Sequence, residues 1–347
     1  MNLSNSYTRQ EWRSILQRVD SAIHSAIEER IKRGAVSISD LASGFSELAL
    51  LREGREPDYS VPGIEIAYAF KYLPRRVSCL LGALARISDR GVPARVLDIG
   101  AGSDAASLAL DVWSPGLTSP IAVTCLEPSN SMRSFGQRLK LTPRVQRRWL
   151  SGGFEALYDG HPEIPLASFD LIVMSACLPY ADTDWIRLAR TVGELTAPPA
   201  SVIVIEPNQK QWQFSRLVAG LRQTGYYAIQ EMCCHDLDPI ITSEIKLPNT
   251  TAAVLAGCRP LTPEPVGSSA PRAVPLSVSD ASDHRVYSKC CCSTKLNQRM
   301  QSLGAQILNL PNLPSRVRSI VGDAPYPVTS WNSNPGYRES IAICTEG

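Results

Sequence analysis

The chain has almost no net charge, because its 35 Lys and Arg residues are nearly balanced by 33 Asp and Glu residues. This balance provides no global attraction to nucleic acid or to an anionic membrane. The sequence also lacks an apolar run long enough to span a membrane. Acidic residues among the first 30 positions are not typical of a secretory or organellar leader. We therefore expect a soluble, cytoplasmic protein with no membrane partner.

Clustered metal ligands are also scarce. The four histidines are scattered along the chain, whereas a zinc hydrolase needs two or three grouped histidines or carboxylates. None of the ten cysteines forms a C-x-x-C pair, so the spacing alone is weak evidence for a metal centre. Without a secretory leader, the cysteines indicate reduced thiols or metal ligands rather than disulfides.

The composition and the apolar pattern of the sequence change along the chain and predict four segments. Residues 1–90 carry apolar positions at helical spacing and predict an N-terminal helical segment. Residues 91–258 alternate short apolar runs with helical patterns, which indicates a mainly parallel sheet covered on both faces. Residues 259–285 are rich in Pro and Ser and predict a linker. Residues 286–347 are expected to form a small C-terminal extension that contains cysteines.

A glycine turn follows the first predicted strand, in the stretch "RVLDIGAGSDA". Gly100 and Gly102 lie where a parallel sheet binds ligands, and their missing side chains let a ligand lie against the backbone. Glu127 ends the next strand, 25 residues after Gly102, and offers a carboxylate to a ribose diol. This arrangement predicts a site for a cofactor that contains adenosine.

Two cofactors compete for this turn. The looser G-x-G-x-x-A dinucleotide pattern is present, so an NAD-dependent oxidoreductase is one interpretation. However, Asp98 makes the pattern D-x-G-x-G, which resembles the first motif of S-adenosylmethionine (SAM) methyltransferases, and "CLEPSNSM" resembles their second motif. Asp104 also places a negative charge where a pyrophosphate favours a positive helix N-terminus. We favour SAM, with these predicted contacts: Asp98, Gly100, Gly102, Ser103, Glu127, Pro128 and Ser175.

The same resemblance implies an α/β fold with a Rossmann-like, seven-stranded class I methyltransferase sheet. Acceptor-facing residues are then expected in "SACLPY" after the fourth strand, where Cys177 and Tyr180 are the candidate catalytic residues. Packing roles for both remain open, because free cysteines are commonly interior. Glu206 either acts as a base or caps the next helix. The Asn/Asp-Pro-Pro-Tyr pattern of exocyclic amine methylation is absent, so nitrogen on a base or side chain is not indicated.

Over residues 40–232 the chain resembles the methyltransferase-like proteins of the mitochondrial small ribosomal subunit and their bacterial relatives. The resemblance rests on a helical stretch before the glycine turn that contains Tyr68, Tyr72, Pro74 and Arg75. It implies a ribosomal RNA or small-subunit partner, for which the best basic stretch is "RLKLTPRVQRR" from Arg138. A small-molecule acceptor stays open.

That family binds an iron-sulfur cluster through cysteines. The resemblance implies Cys233, Cys291 and Cys344 as metal ligands here, for a 4Fe-4S cluster or zinc, although Pro239 stands where another cysteine is expected. The alternative is that "CCC" belongs to an exposed tail and that "TAAVLAGC" is the last strand of a plain methyltransferase sheet. Two functions from different classes follow: a SAM-dependent methyltransferase, or a non-catalytic ribosome-assembly or binding factor that keeps the fold as a scaffold and has a Cys-ligated metal centre. Asp104 in the turn and the missing acceptor motif support the second function.

Overall fold

The computed structural model describes residues 9–87, 91–113, 119–158, 160–179, 183–207, 210–224, 227–232, 256–257, 306–307, 309–311, 315 and 339–345. The helices are α1 (Arg9–Lys32), α2 (Ile38–Leu48), α3 (Ile64–Lys71), α4 (Leu73–Arg86), α5 (Ala105–Val112), α6 (Asn130–Gly136), α7 (Trp185–Leu195) and α8 (Gln211–Gln223). Short 3-10 helices cover Ala49–Glu53 and Phe154–Leu157. The strands are β1 (Arg95–Ile99), β2 (Ile121–Leu126), β3 (Val145–Leu150), β4 (Phe169–Ser175), β5 (Thr196–Pro207), β6 (Tyr227–Met232), β7 (Ala256–Gly257) and β8 (Glu339–Thr345).

The N-terminal helices follow their apolar periodicity. Helix α1 buries Ile15, Val19, Ile23 and Ile27 at spacings of four residues. Helix α2 begins with a capping box, in which the Ser37 side chain accepts from the Asp40 backbone N–H and the Asp40 carboxylate accepts from that of Ser37. An ion pair of 2.5 Å between Arg30 and the buried Glu65 joins α1 to α3.

Residues 64–87 form two helices rather than the single one that the periodicity predicts. Tyr72 ends α3 and precedes α4, and Pro74 lies in the first turn of α4. Proline has no N–H for the preceding turn and clashes with its carbonyl, so the chain bends here and begins a second helix.

The described strands form one sheet in the order β3-β2-β1-β4-β5-β8-β6-β7. The first five are parallel. Strand β8 is antiparallel to both β5 and β6, so β6 runs in the same direction as β5. The structure therefore shows eight strands rather than seven, because the two-residue β7 pairs with the outer side of β6.

The strand between β5 and β6 decides between two registers that the sequence left open. Residues 339–345 occupy this position, whereas Ala256–Gly257, from "TAAVLAGC", lies at the edge of the sheet. The C-terminal segment thus supplies a central strand. Its central position follows from pairing on both sides, since β8 pairs with seven residues of β5 and with β6.

Side chains alternate between two apolar clusters on opposite faces of the sheet. On one face, Val96, Val123 and Ile203 belong to the same cluster as the buried residues of α1 to α5. On the other face, Leu97, Ile172 and Val204 pack with α7 and α8. The predicted N-terminal segment therefore shares its core with the sheet. The predicted boundaries at residues 90, 258 and 285 stay predictions.

None of the described helices combines the length and the apolarity needed to cross a membrane.

Candidate cofactor site

The parallel strands β1, β2, β4 and β5 end along one side of the sheet, which we call the carboxyl edge. The turn after β1 has an unusual backbone at this edge: φ is +69° at Gly100, +54° at Gly102 and +73° at Asp104. The N–H groups of Gly100 and Ala101 both donate to the Leu126 carbonyl at the end of β2, at 2.8 and 3.1 Å. The turn is therefore fixed to the end of β2.

Glu127 faces this turn and holds it. Its Oε2 accepts a hydrogen bond from the Gly102 N–H at 2.8 Å, and its Oε1 accepts from the Ser129 N–H at 2.8 Å. Burial raises the pKa of Glu127, while the two N–H bonds lower it. A carboxylate has about four acceptor positions, so each oxygen keeps one after these bonds.

Asp98 lies on β1 two residues before the turn and is buried. Among the described residues it forms no ion pair, and no hydrogen bond to its side chain is found there. Burial raises the pKa of Asp98 well above its usual range, and the charges of Asp104 and Glu127 raise it further. A buried carboxyl group without a partner is costly and marks a place for a ligand or a proton.

Asp104 does not stand unpaired at the start of α5. Its fully buried carboxylate accepts from Arg147 Nη1 of β3 at 2.6 Å and from Cys125 Sγ at 3.7 Å. Burial raises the pKa of Asp104, and the Arg147 charge opposes this rise. The expectation that Asp104 opposes a pyrophosphate is weakened, because Arg147 compensates its charge. The acid that still opposes a pyrophosphate is the buried Asp98.

The loop after β4 meets the glycine turn directly. A Cβ placed on Gly100 would lie 2.2 Å from the Cβ of Cys177. Ala176 adopts φ of +56°, a conformation that is rare for a residue with a side chain. The hydroxyl of Ser175 is buried and has no hydrogen-bond partner among the described residues. Cys177 and Ser175 thus lie beside the turn, while Tyr180 lies outside the described residues.

Cys177 is not a reactive thiolate in this setting. Burial raises the pKa of its thiol well above the usual range, and the charge of Glu206 raises it further. Because the thiolate is the nucleophilic form, a neutral thiol favours the packing role for Cys177.

Glu206 ends β5 and is fully buried. Its Oε1 accepts hydrogen bonds from the N–H groups of Cys177 and Leu178, both at 2.9 Å, so it holds the loop after β4. Burial raises the pKa of Glu206 to about 7, against the nearby positive charge of Lys210. The sequence offered a cap for the next helix as one role, but the hydrogen bonds of Glu206 go to the preceding loop.

Ser103 and Pro128, two other predicted cofactor contacts, are each engaged in a hydrogen bond within the fold. The hydroxyl of the buried Ser103 donates to the sulfur of Met132 at 3.6 Å. Pro128 is exposed, and its carbonyl accepts from Arg133 Nη1 at 2.9 Å.

A loop of residues 54–63, here called the crossing loop, passes from one side of this site to the other. The Tyr59 carbonyl accepts from the hydroxyls of Ser129 and Ser131, at 3.0 and 2.8 Å, just after β2. At the far end, the Glu56 carboxylate accepts from Lys210 Nζ, just after β5, at 3.5 Å. The ends of β1 and β4 lie between these two contacts in the strand order. The sequence carried no signal for this loop, because its contacts are long-range.

The basic stretch from Arg138 is largely occupied within the fold. Arg144 donates to the Leu110 and Trp113 carbonyls at the end of α5, and Arg147 pairs with Asp104. Arg148 pairs with Glu163, and Arg138 bonds to Ser134. These contacts favour a structural role for the stretch over phosphate binding.

The metal prediction lies mostly outside the described residues. Cys233 and Cys291 are both outside them, and the backbone of Cys344 pairs with Val202 in the sheet. Within the part of the chain that the structure describes, no group of three or more His, Cys, Asp or Glu residues has a metal-binding arrangement.

No protein-family model matches the chain, and no curated protein sequence matches it. Solved structures resemble it at low identity. A Galdieria sulphuraria structure named as a sarcosine dimethylglycine methyltransferase is 13% identical, with 46% of this chain and 64% of that one covered and a TM-score of 0.35. This chain thus spans less than two thirds of that protein.

Two further structures illustrate the range of these likenesses. A TehB-like SAM-dependent methyltransferase from Corynebacterium glutamicum is 15% identical, covering 45% of this chain and 76% of that one, with a TM-score of 0.34. The cyclase SpnF is 12% identical, covering 79% and 80%, with a TM-score of 0.39. TM-scores below 0.5 identify no function, and a fold by itself does not imply one.

The strand order and the helices define the fold class. It is an α/β Rossmann-like fold, with parallel strands β3-β2-β1-β4-β5 and β6 and with helices before the sheet. Nothing in the comparisons supports the ribosomal assembly family, so that resemblance stays a prediction from the sequence.

Proposed function

We propose that this chain is a SAM-dependent methyltransferase that binds its methyl donor at the carboxyl edge, over the turn after β1. The observation that carries the proposal is the pair of acids at this turn. Glu127 is bonded to the Gly102 N–H and keeps acceptor positions free, and Asp98 is buried without a partner among the described residues.

The residues fit the groups of this cofactor. The free acceptor positions of Glu127 suit the two hydroxyls of a ribose. Gly102 has a φ of +54°, and its missing side chain leaves the backbone open to close approach. Asp98 suits the cationic amino-acid end of the cofactor, because a positive ligand stabilises a carboxylate whose burial is otherwise unfavourable.

The donor supplies a methyl group that is already activated on a sulfonium, so the protein has to position the acceptor and exclude water. The loop after β4 is the candidate acceptor side, because Cys177 lies against Gly100 and Ser175 has an unbonded hydroxyl. Tyr180 and the RNA or ribosomal partner remain proposals from the sequence.

The alternative is a non-catalytic binding factor that keeps the fold as a scaffold. One of its two supports was the charge of Asp104, which is neutralised by Arg147 in a buried ion pair and leaves no net charge at that position. A binding factor would hold the cofactor without transferring its methyl group, or would not hold it at all.

Calorimetry with the full chain tests the proposal. We expect S-adenosylhomocysteine (SAH) and SAM to bind and NAD to bind at least roughly tenfold more weakly, because the buried Asp98 beside the turn opposes a pyrophosphate. The Asp98→Asn variant should bind SAM about tenfold or more weakly, in the range of a lost charged hydrogen bond. Its thermal midpoint should not fall, since Asp98 supports no described contact. If neither SAM nor SAH bound at millimolar concentration, the proposed methyltransferase function would be excluded.

A further inference from the structure

The end of β5 carries a buried acid whose second oxygen is unused. Glu206 is fully buried, and its Oε1 already serves the N–H groups of Cys177 and Leu178. Its Oε2 is buried and has no hydrogen-bond partner among the described residues. Burying an unsatisfied carboxyl oxygen is unfavourable, so a residue that only held the loop would not need this second oxygen.

Cys177 connects Glu206 to the turn over which the donor is proposed to lie. Glu206 bonds to the backbone of Cys177, and the Cβ of Cys177 lies against the Cα of Gly100. Gly100 belongs to the turn over which the cofactor is proposed to lie. The carboxyl group therefore adjoins the loop that is proposed to form the acceptor side of the site.

The groups that face Glu206 come from three elements. Lys210, at the start of α8, and Arg76, on α4, bring positive charges that lower its pKa, while Cys177 brings a thiol from the loop after β4. Lys210 is itself held by the Leu178 carbonyl and by Glu56 of the crossing loop. Burial outweighs the positive charges and raises the pKa of Glu206 to about 7. A general base works best when its pKa is near the working pH.

We propose that Glu206 is the base of the methyl transfer and that the acceptor is consequently a nucleophile whose attacking atom carries a proton. This inference rests on the proposed function. The acceptor's lone pair forms the bond to the methyl carbon while the carbon–sulfur bond breaks, and its electron pair stays on sulfur. The proton leaves the acceptor for Glu206 Oε2. A cationic donor, a neutral acceptor and a carboxylate thereby become SAH, a neutral methylated product and a neutral carboxylic acid.

If Glu206 were purely structural, the binding of a sulfonium would not change its protonation. A base that accepts the acceptor's proton has to lie close to the sulfonium. A positive charge about 6 Å away, at an effective dielectric constant of about 20, would lower the pKa of a carboxyl group by at least one unit. SAH has the same shape but no positive charge on sulfur. SAM should therefore displace a proton from Glu206 that SAH leaves in place.

The experiment is calorimetry of SAM and of SAH with the full chain at pH 7, each in two buffers of different ionisation enthalpy. A carboxyl group whose pKa falls from about 7 to about 6 releases about 0.4 proton at this pH. We expect SAM binding to release about 0.4 proton more than SAH binding. The Glu206→Gln variant should lose this difference and still bind both ligands within about threefold, because Gln keeps one oxygen for the Cys177 and Leu178 N–H groups.

Glu194→Gln is the matched control, because it makes the same change on the exposed Glu194 of α7 and should keep the difference. Equal proton release for the two ligands in the unaltered chain would overturn the proposal, whether or not the Gln variant folds. A difference that persists in Glu206→Gln would also overturn it, because the proton would then come from Asp98 or Glu127. Absence of binding by both ligands would instead reject the proposed function itself.

Discussion

At the scale of single residues, the site depends on how closely two loops approach. Gly100 leaves the turn after β1 with φ of +69°, and the side chain of Cys177 occupies the space where a Cβ would project. Any other residue at position 100 would meet both a backbone conformation that L-residues disfavour and a side chain that cannot move freely. The two loops that are proposed to hold donor and acceptor are thus in direct contact at Gly100 and Cys177.

Replacing Gly100 by Ala should therefore destabilise the fold and weaken cofactor binding together. The left-handed conformation costs about 1–2 kcal/mol, and the overlap with Cys177 adds about 1–3 kcal/mol. Gly34→Ala is the control, because Gly34 has φ of +64° but nothing within 4 Å of the position that a Cβ would take, so only the conformational cost remains. Urea unfolding measures the loss of unfolding free energy in Gly100→Ala and in Gly34→Ala. Equal losses would contradict the close approach as the cause.

The residues of the glycine turn could be predicted from the sequence, and the residues that support them could not. Gly100, Gly102 and Glu127 follow strands at a fixed spacing, so their meeting at the carboxyl edge follows from parallel topology. Arg147 lies 43 residues after Asp104, and no local pattern marks it as the partner. Such long-range pairs depend on the strand order and on the face that each side chain occupies.

At the scale of elements, Arg147 connects β3, α5 and α6. Its guanidinium pairs with Asp104 before α5 and also donates to the Gly136 and Leu139 carbonyls at the end of α6, at 2.7 and 3.1 Å. Gly136 permits this packing, since a Cβ there would lie 2.6 Å from the Trp149 ring and 3.0 Å from the Cβ of Asp104. The charge at position 104, which is unexpected for a cofactor turn, is therefore part of the packing between these elements.

Removing only one partner of this ion pair should cost more than removing both. Arg147→Met leaves the fully buried Asp104 charge without a partner, a loss of about 3–5 kcal/mol. In the double variant Asp104→Gly/Arg147→Met the unpaired buried charge and the left-handed conformation of a non-glycine residue are both absent. The double variant should therefore lose less unfolding free energy than Arg147→Met alone, and less than the sum of the two single losses.

The control is the neighbouring Arg148→Met, whose partner Glu163 is 55% exposed and which should cost at most about 1 kcal/mol. Urea titration gives the unfolding free energies of Arg147→Met, Asp104→Gly, the double variant and Arg148→Met. Additive losses, or equal losses for Arg147→Met and Arg148→Met, would argue against a buried ion pair.

The same holds for helices and strands: features set by a local pattern could be predicted from the sequence, and features set by distant pairing could not. The apolar pattern of "VQRRWL" predicts a strand, and the structure has one with the same bounds, Val145–Leu150, because this signal lies within the segment. The break at Pro74 was missed, because apolar periodicity continues across it. The position of β8 could not be derived from the sequence, because its pairing with β5 spans more than 130 residues and two segments offered similar strand patterns.

At the scale of the whole molecule, segments from both ends of the chain complete the region around the candidate site. The crossing loop bridges the ends of β2 and β5 through Tyr59 and Glu56. On the far side of β5, β8 pairs along Ser201–Pro207 and connects β6 to the rest of the sheet. Glu206 belongs to the paired stretch, so the backbone that presents it is fixed by β4 on one side and by β8 on the other.

Truncation of the chain after residue 338 should therefore be severe. It removes β8, separates β6 from β5 and exposes the edge of β5, which is a template for aggregation. Loss of seven paired residues should cost several kcal/mol, a large part of the roughly 5–15 kcal/mol that stabilises a typical domain. The matched control ends at residue 345 and keeps β8 intact. Thermal unfolding and size-exclusion chromatography compare the two chains. If the shorter chain melted at the same temperature as the control, β8 would not be the closing strand, and residues 251–258 would be the segment to place beside β5.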